Sequence, residues 1–244
     1  MPLSVGILYL SDRFKASQTV DLVVHFHGAP WLVEHHARAV ARNSVIVTVQ
    51  MGAGSRVYSD GFADPAVFAR LLEESAGRTS ELTGHPVSFR SVTLSAFSAG
   101  YGAVRSILQH PPHYARIDAV LLADSLHASY AGPVAPSRAT DLPIDESGLE
   151  PFVRFARDAV AGRKRFWLTH SEVFPGTFAS TTETADVLLR HAAVPRRRVL
   201  RNGPIGMQQL SEGRKGQLTV SGFAGNSAPD HLDHLYALGE LLWK

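Results

Sequence analysis

The sequence of 244 residues contains no cysteine. This absence excludes disulfide bonds, thiolate catalysis and cysteine-ligated metal sites. No apolar run reaches the roughly 18 residues that a membrane-spanning helix needs. The first ten residues also lack the basic segment that opens a signal peptide. We therefore expect no membrane span, interpret residues 3–10 as a first strand, and expect a cytoplasmic protein.

A strong charge of one sign is also absent, since the formal net charge is only +2. The densest basic run is Arg196-Arg197-Arg198 with Arg201, and no aromatic residues alternate with it as they do in base-stacking surfaces. We interpret this run as a solvated loop that precedes a strand. The sequence therefore predicts no nucleic-acid partner.

The familiar cofactor signatures are incomplete. The segment Gly52-Ala53-Gly54-Ser55-Arg56-Val57 lacks the third small residue of a dinucleotide-binding turn. His25 and His27 are followed by Ala29-Pro30 where a metallo-β-lactamase-like metal motif requires Asp-His. We expect neither a nicotinamide cofactor nor a bound metal.

Apolar segments alternate with segments of helical periodicity along the whole chain. Such alternation predicts an α/β protein with a mostly parallel sheet and helices on both faces. The length is compatible with one domain over residues 1–244, and the Pro/Gly-rich stretch around 126–148 is interpreted as a long loop or a short lid. The predicted strands are 3–10, 21–26, 44–50, 87–96, 117–123, 164–169 and 216–224, and the predicted helices are 31–42, 64–76, 100–109, 148–161, 180–192 and 229–243. The strand at 3–10 is expected to pair antiparallel with residues near 20.

The most informative stretch is Ala96-Phe97-Ser98-Ala99-Gly100, where a predicted strand runs into a predicted helix. Small residues two positions either side of Ser98 allow the tight turn that exposes the serine hydroxyl at the end of the strand. The segment resembles the nucleophile elbow of the α/β-hydrolase family, with alanine in place of the first glycine. The resemblance implies an α/β-hydrolase fold with a minimal lid, Ser98 as nucleophile, and the chain order serine, acid, histidine.

A second segment, His25-Phe26-His27-Gly28-Ala29-Pro30-Trp31, resembles the His-Gly oxyanion motif of the same family. Gly28 permits the bend, and the backbone N–H of Ala29 would face the developing charge. Pro30 has no N–H and cannot serve. The second donor would be the N–H of Ala99, at a helix N-terminus.

Two histidines compete for the role of base. His231 follows the last predicted strand and begins the last helix, and His234 lies three residues on, on the same helical face. We favour His231. Two carboxylates compete for the acid: Asp124 ends an apolar strand, and Glu172 follows the next strand, which is the commoner position in the family. We favour Asp124.

Trp31, His127 and Tyr130 fall in loops at the same predicted edge, where they either pack or contact substrate. The segment Ser180-Thr181-Thr182-Glu183 is interpreted as a helix capping box with no catalytic role.

Together these features predict a serine hydrolase that cleaves small-molecule carboxylic esters through an acyl-enzyme, using Ser98, His231 and Asp124. Amides, thioesters and lactones require the same groups. An acyltransferase that excludes water, and a catalytically silent binding protein on the same fold, remain alternatives.

Overall fold

The computed structural model describes residues 1–12, 14–15, 17–40, 43–132 and 135–242. They form two compact units, one of Met1–Leu121 with Leu238–Lys244 and one of Leu122–Ala237. A single domain over residues 1–244 therefore stays a prediction.

The first unit is a sheet with flanking helices. Strand β2 (Thr19–Phe26) is parallel to both β3 (Ser44–Val49) and β4 (Ser88–Phe97), while β1 (Ile7–Tyr9) is antiparallel to β3. Val23 of β2 pairs with Ile46 and with Thr93. The strand order is β1-β3-β2-β4 with the start of β5 next. Its described elements are β1 (Ile7–Tyr9), β2 (Thr19–Phe26), α1 (Pro30–Val40), β3 (Ser44–Val49), α2 (Ser55–Gly61), α3 (Pro65–Thr83), β4 (Ser88–Phe97), α4 (Tyr101–Gln109), α5 (Pro111–Arg116), the start of β5 (Ala119–Ala123) and α9 (Leu238–Leu242).

Buried apolar side chains and capped helix ends stabilise this unit. Every residue of β5 is buried, as is typical of a strand covered on both faces by helices. Phe26 and Phe62 meet edge to face with ring centroids 5.2 Å apart in the core. Helix α3 begins at the Asp64 side-chain cap and ends at Gly84, which has φ 74°.

The second unit contains the end of β5 followed, in this order, by β6 (Arg165–His170), β9 (Leu218–Phe223), β8 (Gln208–Lys215) and β7 (Arg197–Asn202). Strands β6 and β9 are parallel, whereas β8 is antiparallel to both β9 and β7. Its described elements are α6 (Glu150–Val160), β6 (Arg165–His170), α7 (Thr181–His191), β7 (Arg197–Asn202), β8 (Gln208–Lys215), β9 (Leu218–Phe223) and α8 (Ala228–Tyr236).

The alternation of strands and helices confirms the predicted α/β class, with four corrections. The first strand pairs with β3 and not with residues near 20. The run at Arg197–Asn202 is a strand and not a loop; its residues are mostly exposed, so it carries no hydrophobic pattern. The short helices α2 and α5 and the strand β8 were not predicted. The terminal helix predicted over 229–243 is interrupted after Tyr236, and α9 starts at Leu238.

Among the helices of the described residues, none is both long and apolar enough to cross a membrane. The stretch around 126–148 is joined to its own unit by backbone pairing of Ala128 with Ala179 and of Tyr130 with Ile144. Its role as a lid stays a prediction.

Candidate active site

Ser98 occupies a strained corner between β4 and α4. Its φ is 46°, in the left-handed region that non-glycine residues rarely adopt, and it starts a 3-10 turn over Ser98–Gly100. A Cβ at Gly100 would lie 2.2 Å from the carbonyl oxygen of Phe26, so only glycine allows this approach. A non-glycine residue held in this region costs about 1–3 kcal/mol, and such strain concentrates at functional sites.

The turn after β2 lies beside this corner in the same unit. Phe26 pairs with Ala96 across β2 and β4, so the two strands end side by side. His27 has φ 67° and Gly28 has φ 133°, which confirms that the chain bends at Gly28. The N–H of Gly28 donates to Gln50 Oε1 at 2.8 Å. Ala29, the predicted oxyanion donor, is the residue between this bend and the start of α1.

A buried histidine supports that turn. His25 Nε2 lies 2.9 Å from the carbonyl oxygen of His27, and its Nδ1 lies 2.9 Å from Ser95 Oγ. Because a carbonyl only accepts, Nε2 carries the proton, and Nδ1 accepts from the serine hydroxyl. Burial lowers the pKa of His25 to about 3, so the ring is neutral at pH 7.

Asp124 follows β5 in the second unit, and its carboxylate accepts four hydrogen bonds. Its φ is 36° and it is 1% exposed. Oδ1 accepts from the Ser171 N–H at 2.8 Å and from Thr181 Oγ1 at 2.5 Å, and Oδ2 accepts from Ser171 Oγ at 2.7 Å and from His231 Nδ1 at 2.6 Å. Burial raises the pKa of this carboxyl, but these donors outweigh burial and hold the pKa well below its usual range.

His231 lies in the first turns of α8, and a quarter of its side chain is exposed. Since the ionised Asp124 can only accept, the His231 Nδ1 carries the proton that bonds to it. In the tautomer with this proton on Nδ1, Nε2 is the basic nitrogen. This is the tautomer that a general base on a serine hydroxyl requires.

His234, the competing base, lies in a different environment. It is fully buried, with Nδ1 2.7 Å from Thr169 Oγ1, and that oxygen also accepts the Asp124 N–H at 3.1 Å. Nε2 has no hydrogen-bond partner within the described part of the chain. Burial lowers the pKa of His234 to about 4. These contacts support His231 over His234 as the base.

Glu172, the competing acid, is exposed and bonded to a loop. Its N–H donates to the Gly225 carbonyl at 2.9 Å, and its Oε2 lies 3.3 Å from the Gly225 N–H. The pairing of His231 with Asp124 therefore supports Asp124 as the acid.

The three further loop residues differ in exposure. Trp31 is 66% exposed. His127 Nδ1 bonds to the Ala179 carbonyl at 2.9 Å, and burial lowers the pKa of its ring. The Tyr130 hydroxyl donates to Glu183 at 2.9 Å. His127 and Tyr130 are thus hydrogen-bonded to residues of their own unit, whereas the Trp31 side chain is largely exposed.

Two residues that bond to the Asp124 carboxylate were not among the predicted site residues. The capping box of Ser180 and Glu183 is confirmed, but Thr181 within that segment also bonds to Asp124. Ser171 bonds to the same carboxylate through both its N–H and its hydroxyl. Ser171 directly follows β6, and polar residues at the carboxyl ends of parallel strands were the signal that could have found it.

No cluster of three or more His, Asp or Glu side chains with metal-binding geometry occurs in the residues that the structure describes.

No protein-family model matches the sequence, and no curated protein is similar to it. Solved structures are similar. Enterochelin esterase from Shigella flexneri matches with a TM-score of 0.52 and 13% identity, over 97% of this chain and 56% of that chain. A second structure, of the enterobactin esterase from Shigella flexneri, matches with a TM-score of 0.52 and 15% identity, over 96% of this chain and 57% of that chain.

This chain therefore spans just over half the length of the esterases that it resembles. At this level of identity the similarity shows the fold, and the resemblance to α/β-hydrolases is confirmed at that level. The chain has an α/β-hydrolase-type fold.

Proposed function

We propose that the protein is a serine hydrolase that cleaves esters of small molecules, with Ser98 as nucleophile, His231 as general base and Asp124 as the acid that orients the base. The observation that carries the proposal is the hydrogen bond of 2.6 Å between His231 Nδ1 and the buried Asp124 carboxylate. It joins residues 107 positions apart and places the proton of the imidazole on Nδ1, so that Nε2 is the basic nitrogen of the ring.

The proposed reaction has two halves. His231 Nε2 takes the proton of Ser98 Oγ as this oxygen attacks the ester carbonyl carbon, and the tetrahedral intermediate expels the alcohol with that proton. Water then attacks the acyl-serine, again giving its proton to Nε2, and the acid product leaves as Ser98 recovers its proton. Throughout, Asp124 stays ionised, in accord with its lowered pKa.

The oxyanion of each tetrahedral intermediate would be bound by the N–H groups of Ala29 and Ala99. The neighbouring ends of β2 and β4 support this assignment, because Gly100 packs against Phe26 in the same unit. The strain at His27 and at Ser98 is the kind that a preorganised site retains. Removal of one such donor costs about 10²–10³ in rate.

Hydrolysis of a short-chain p-nitrophenyl ester series by the wild type and by Ser98→Ala tests the proposal. We expect turnover in the wild type and only the background rate in the variant. Ser88→Ala is the matched control, because Ser88 is exposed near the start of the same strand. It should retain the wild-type rate.

Equal activity in the wild type and in Ser98→Ala would contradict the nucleophile. Added alcohol separates hydrolysis from acyl transfer, since an acyltransferase would give a new ester as its main product. Reaction of Ser98 with a fluorophosphonate, without turnover of any tested ester, would indicate an acyl substrate of another class.

A further inference from the structure

The carboxylate of Asp124 has no hydrogen-bonding capacity left over. A carboxylate offers about four lone-pair directions, and here each oxygen accepts two hydrogen bonds. His231 supplies one donor and Ser171 supplies two. The fourth comes from Thr181, the first residue of α7.

The Thr181 hydroxyl can only be the donor in its hydrogen bond to Asp124. An ionised carboxylate can only accept, so the Thr181 hydroxyl must donate to Oδ1 at 2.5 Å. Thr181 is 2% exposed, so water cannot readily replace it. Without this donor, Oδ1 would retain the Ser171 N–H alone, and the carboxylate could rotate until Oδ2 no longer faces His231.

The turn that carries Thr181 is itself fixed at several points. Ser180 and Glu183 form the capping box. Thr182 Oγ1 donates to the Ser171 carbonyl at 2.6 Å, and it therefore accepts from His170 Nδ1 at 2.8 Å. One turn of helix thus positions both Thr181 and the backbone of Ser171.

We propose that Thr181 is a positioning residue for the reaction: together with Ser171 it holds the Asp124 carboxylate in the plane from which Oδ2 orients His231. The inference rests on the proposed function. The segment Ser180–Glu183 therefore combines helix capping with alignment of the acid.

The test replaces Thr181 by valine, which has a similar shape but no hydroxyl. A misaligned catalytic group commonly costs about 10²-fold in rate. We expect kcat to fall by about 10- to 100-fold while KM stays within about two-fold, because the hydroxyl contacts the acid and not the substrate. Thr181→Ser restores the donor and should return kcat to within a few-fold of the wild type.

Thr184→Val is the matched control for damage to α7. Thr184 is also fully buried, but its hydroxyl faces the carbonyl oxygens of Leu126 at 2.8 Å and of Thr181 at 3.2 Å, and it does not contact Asp124. Its kcat should stay near that of the wild type. A wild-type kcat in Thr181→Val, or an equal loss in Thr181→Val and Thr181→Ser, would overturn the inference. Should the valine variant fail to fold, Thr181→Ala takes its place.

A second readout does not require turnover. The proton between His231 Nδ1 and Asp124 gives a downfield proton NMR signal, assigned by its absence in His231→Gln. We expect the signal in the wild type, in Thr181→Ser and in Thr184→Val, and its loss or displacement in Thr181→Val. An unchanged signal in Thr181→Val overturns the inference, whereas absence of Ser98-dependent turnover with the expected signals contradicts only the proposed function.

Discussion

Two strand ends carry the proposed chemistry, and they are built by different means. Ser98 in the first unit and Asp124 in the second both have positive φ values, 46° and 36°. The Ser98 corner depends on sterics, because Gly100 lets the backbone approach Phe26. The Asp124 corner depends on polar contacts, from side chains and a backbone N–H distant in the sequence. Close backbone packing at Ser98 and a network of hydrogen bonds at Asp124 thus accompany similar positive φ values.

This difference predicts how each corner fails. The steric corner tolerates no added atom at Gly100, because a Cβ there would lie 2.2 Å from the Phe26 carbonyl oxygen. A polar corner tolerates changes of volume but loses its function when one donor is removed, because a buried acceptor is then left without a partner. Substitutions can separate these two kinds of failure.

The largest expected effects are at Asp124 and His231. Asp124→Asn keeps the volume but favours the wrong tautomer of His231, and the analogous change in a serine protease lowers kcat about 10⁴-fold. Glu172→Gln, the matched change at the competing acid, should keep kcat within about three-fold, since Glu172 contacts the Gly225 backbone and not a histidine. Steady-state kinetics of both variants measure the two effects on kcat. A larger loss of kcat in Glu172→Gln than in Asp124→Asn would identify Glu172 as the acid.

The effect at His231 distinguishes the two histidines of α8. His231→Ala should lower kcat to at least the same extent as Asp124→Asn, because the general base itself is lost. His234→Ala should lower kcat far less, since His234 bonds to Thr169 and reaches Asp124 only through that hydroxyl. Single-turnover rates of acylation compare them directly, and a larger loss in His234→Ala would refute the assignment.

A smaller effect concerns the steric corner. Gly100→Ala places a Cβ 2.2 Å from the Phe26 carbonyl and should destabilise the fold by about 1–3 kcal/mol or more. The matched control is Gly77→Ala in α3, where a Cβ meets nothing within 4 Å and alanine should stabilise the helix by about 0.5–1 kcal/mol. Denaturant unfolding of both variants measures this. Equal stability of the two variants would mean that Gly100 is not required by packing.

The smallest effect is on the pH dependence of stability. Burial lowers the pKa of His25 to about 3, below the ordinary value of about 6.5. The unfolded chain therefore binds more protons between these values, so the stabilisation is complete above about pH 6.5 and declines as the pH falls toward 3. His25→Gln removes this titration and should flatten the decrease in melting temperature between pH 7 and 4. A decrease as steep as in the wild type would contradict a buried neutral His25.

The contrast between the two corners also explains what the sequence could predict. The strand, the small residues and the helix around Ser98 are consecutive in the sequence, so the turn at Ser98 could be predicted from the sequence alone. Asp124 was singled out because it ends an apolar strand. Its partners Ser171 and Thr181 lie 47 and 57 residues away in the sequence. Ser171 carries only the signal of a polar residue at the end of a strand, and Thr181 lies in a segment that the capping box already explained, so neither was predicted to contact Asp124. Strand β7 was missed because its exposed arginines lack the alternation by which strands are identified.

The most direct test of the central claim is a fluorophosphonate reaction followed by peptide mass spectrometry, in the wild type and in His231→Ala. The account predicts that the label in the wild type is found on Ser98, and that His231→Ala labels at least about 10²-fold more slowly because the base is missing. A label on another residue, or equal labelling rates in the two proteins, would contradict the account.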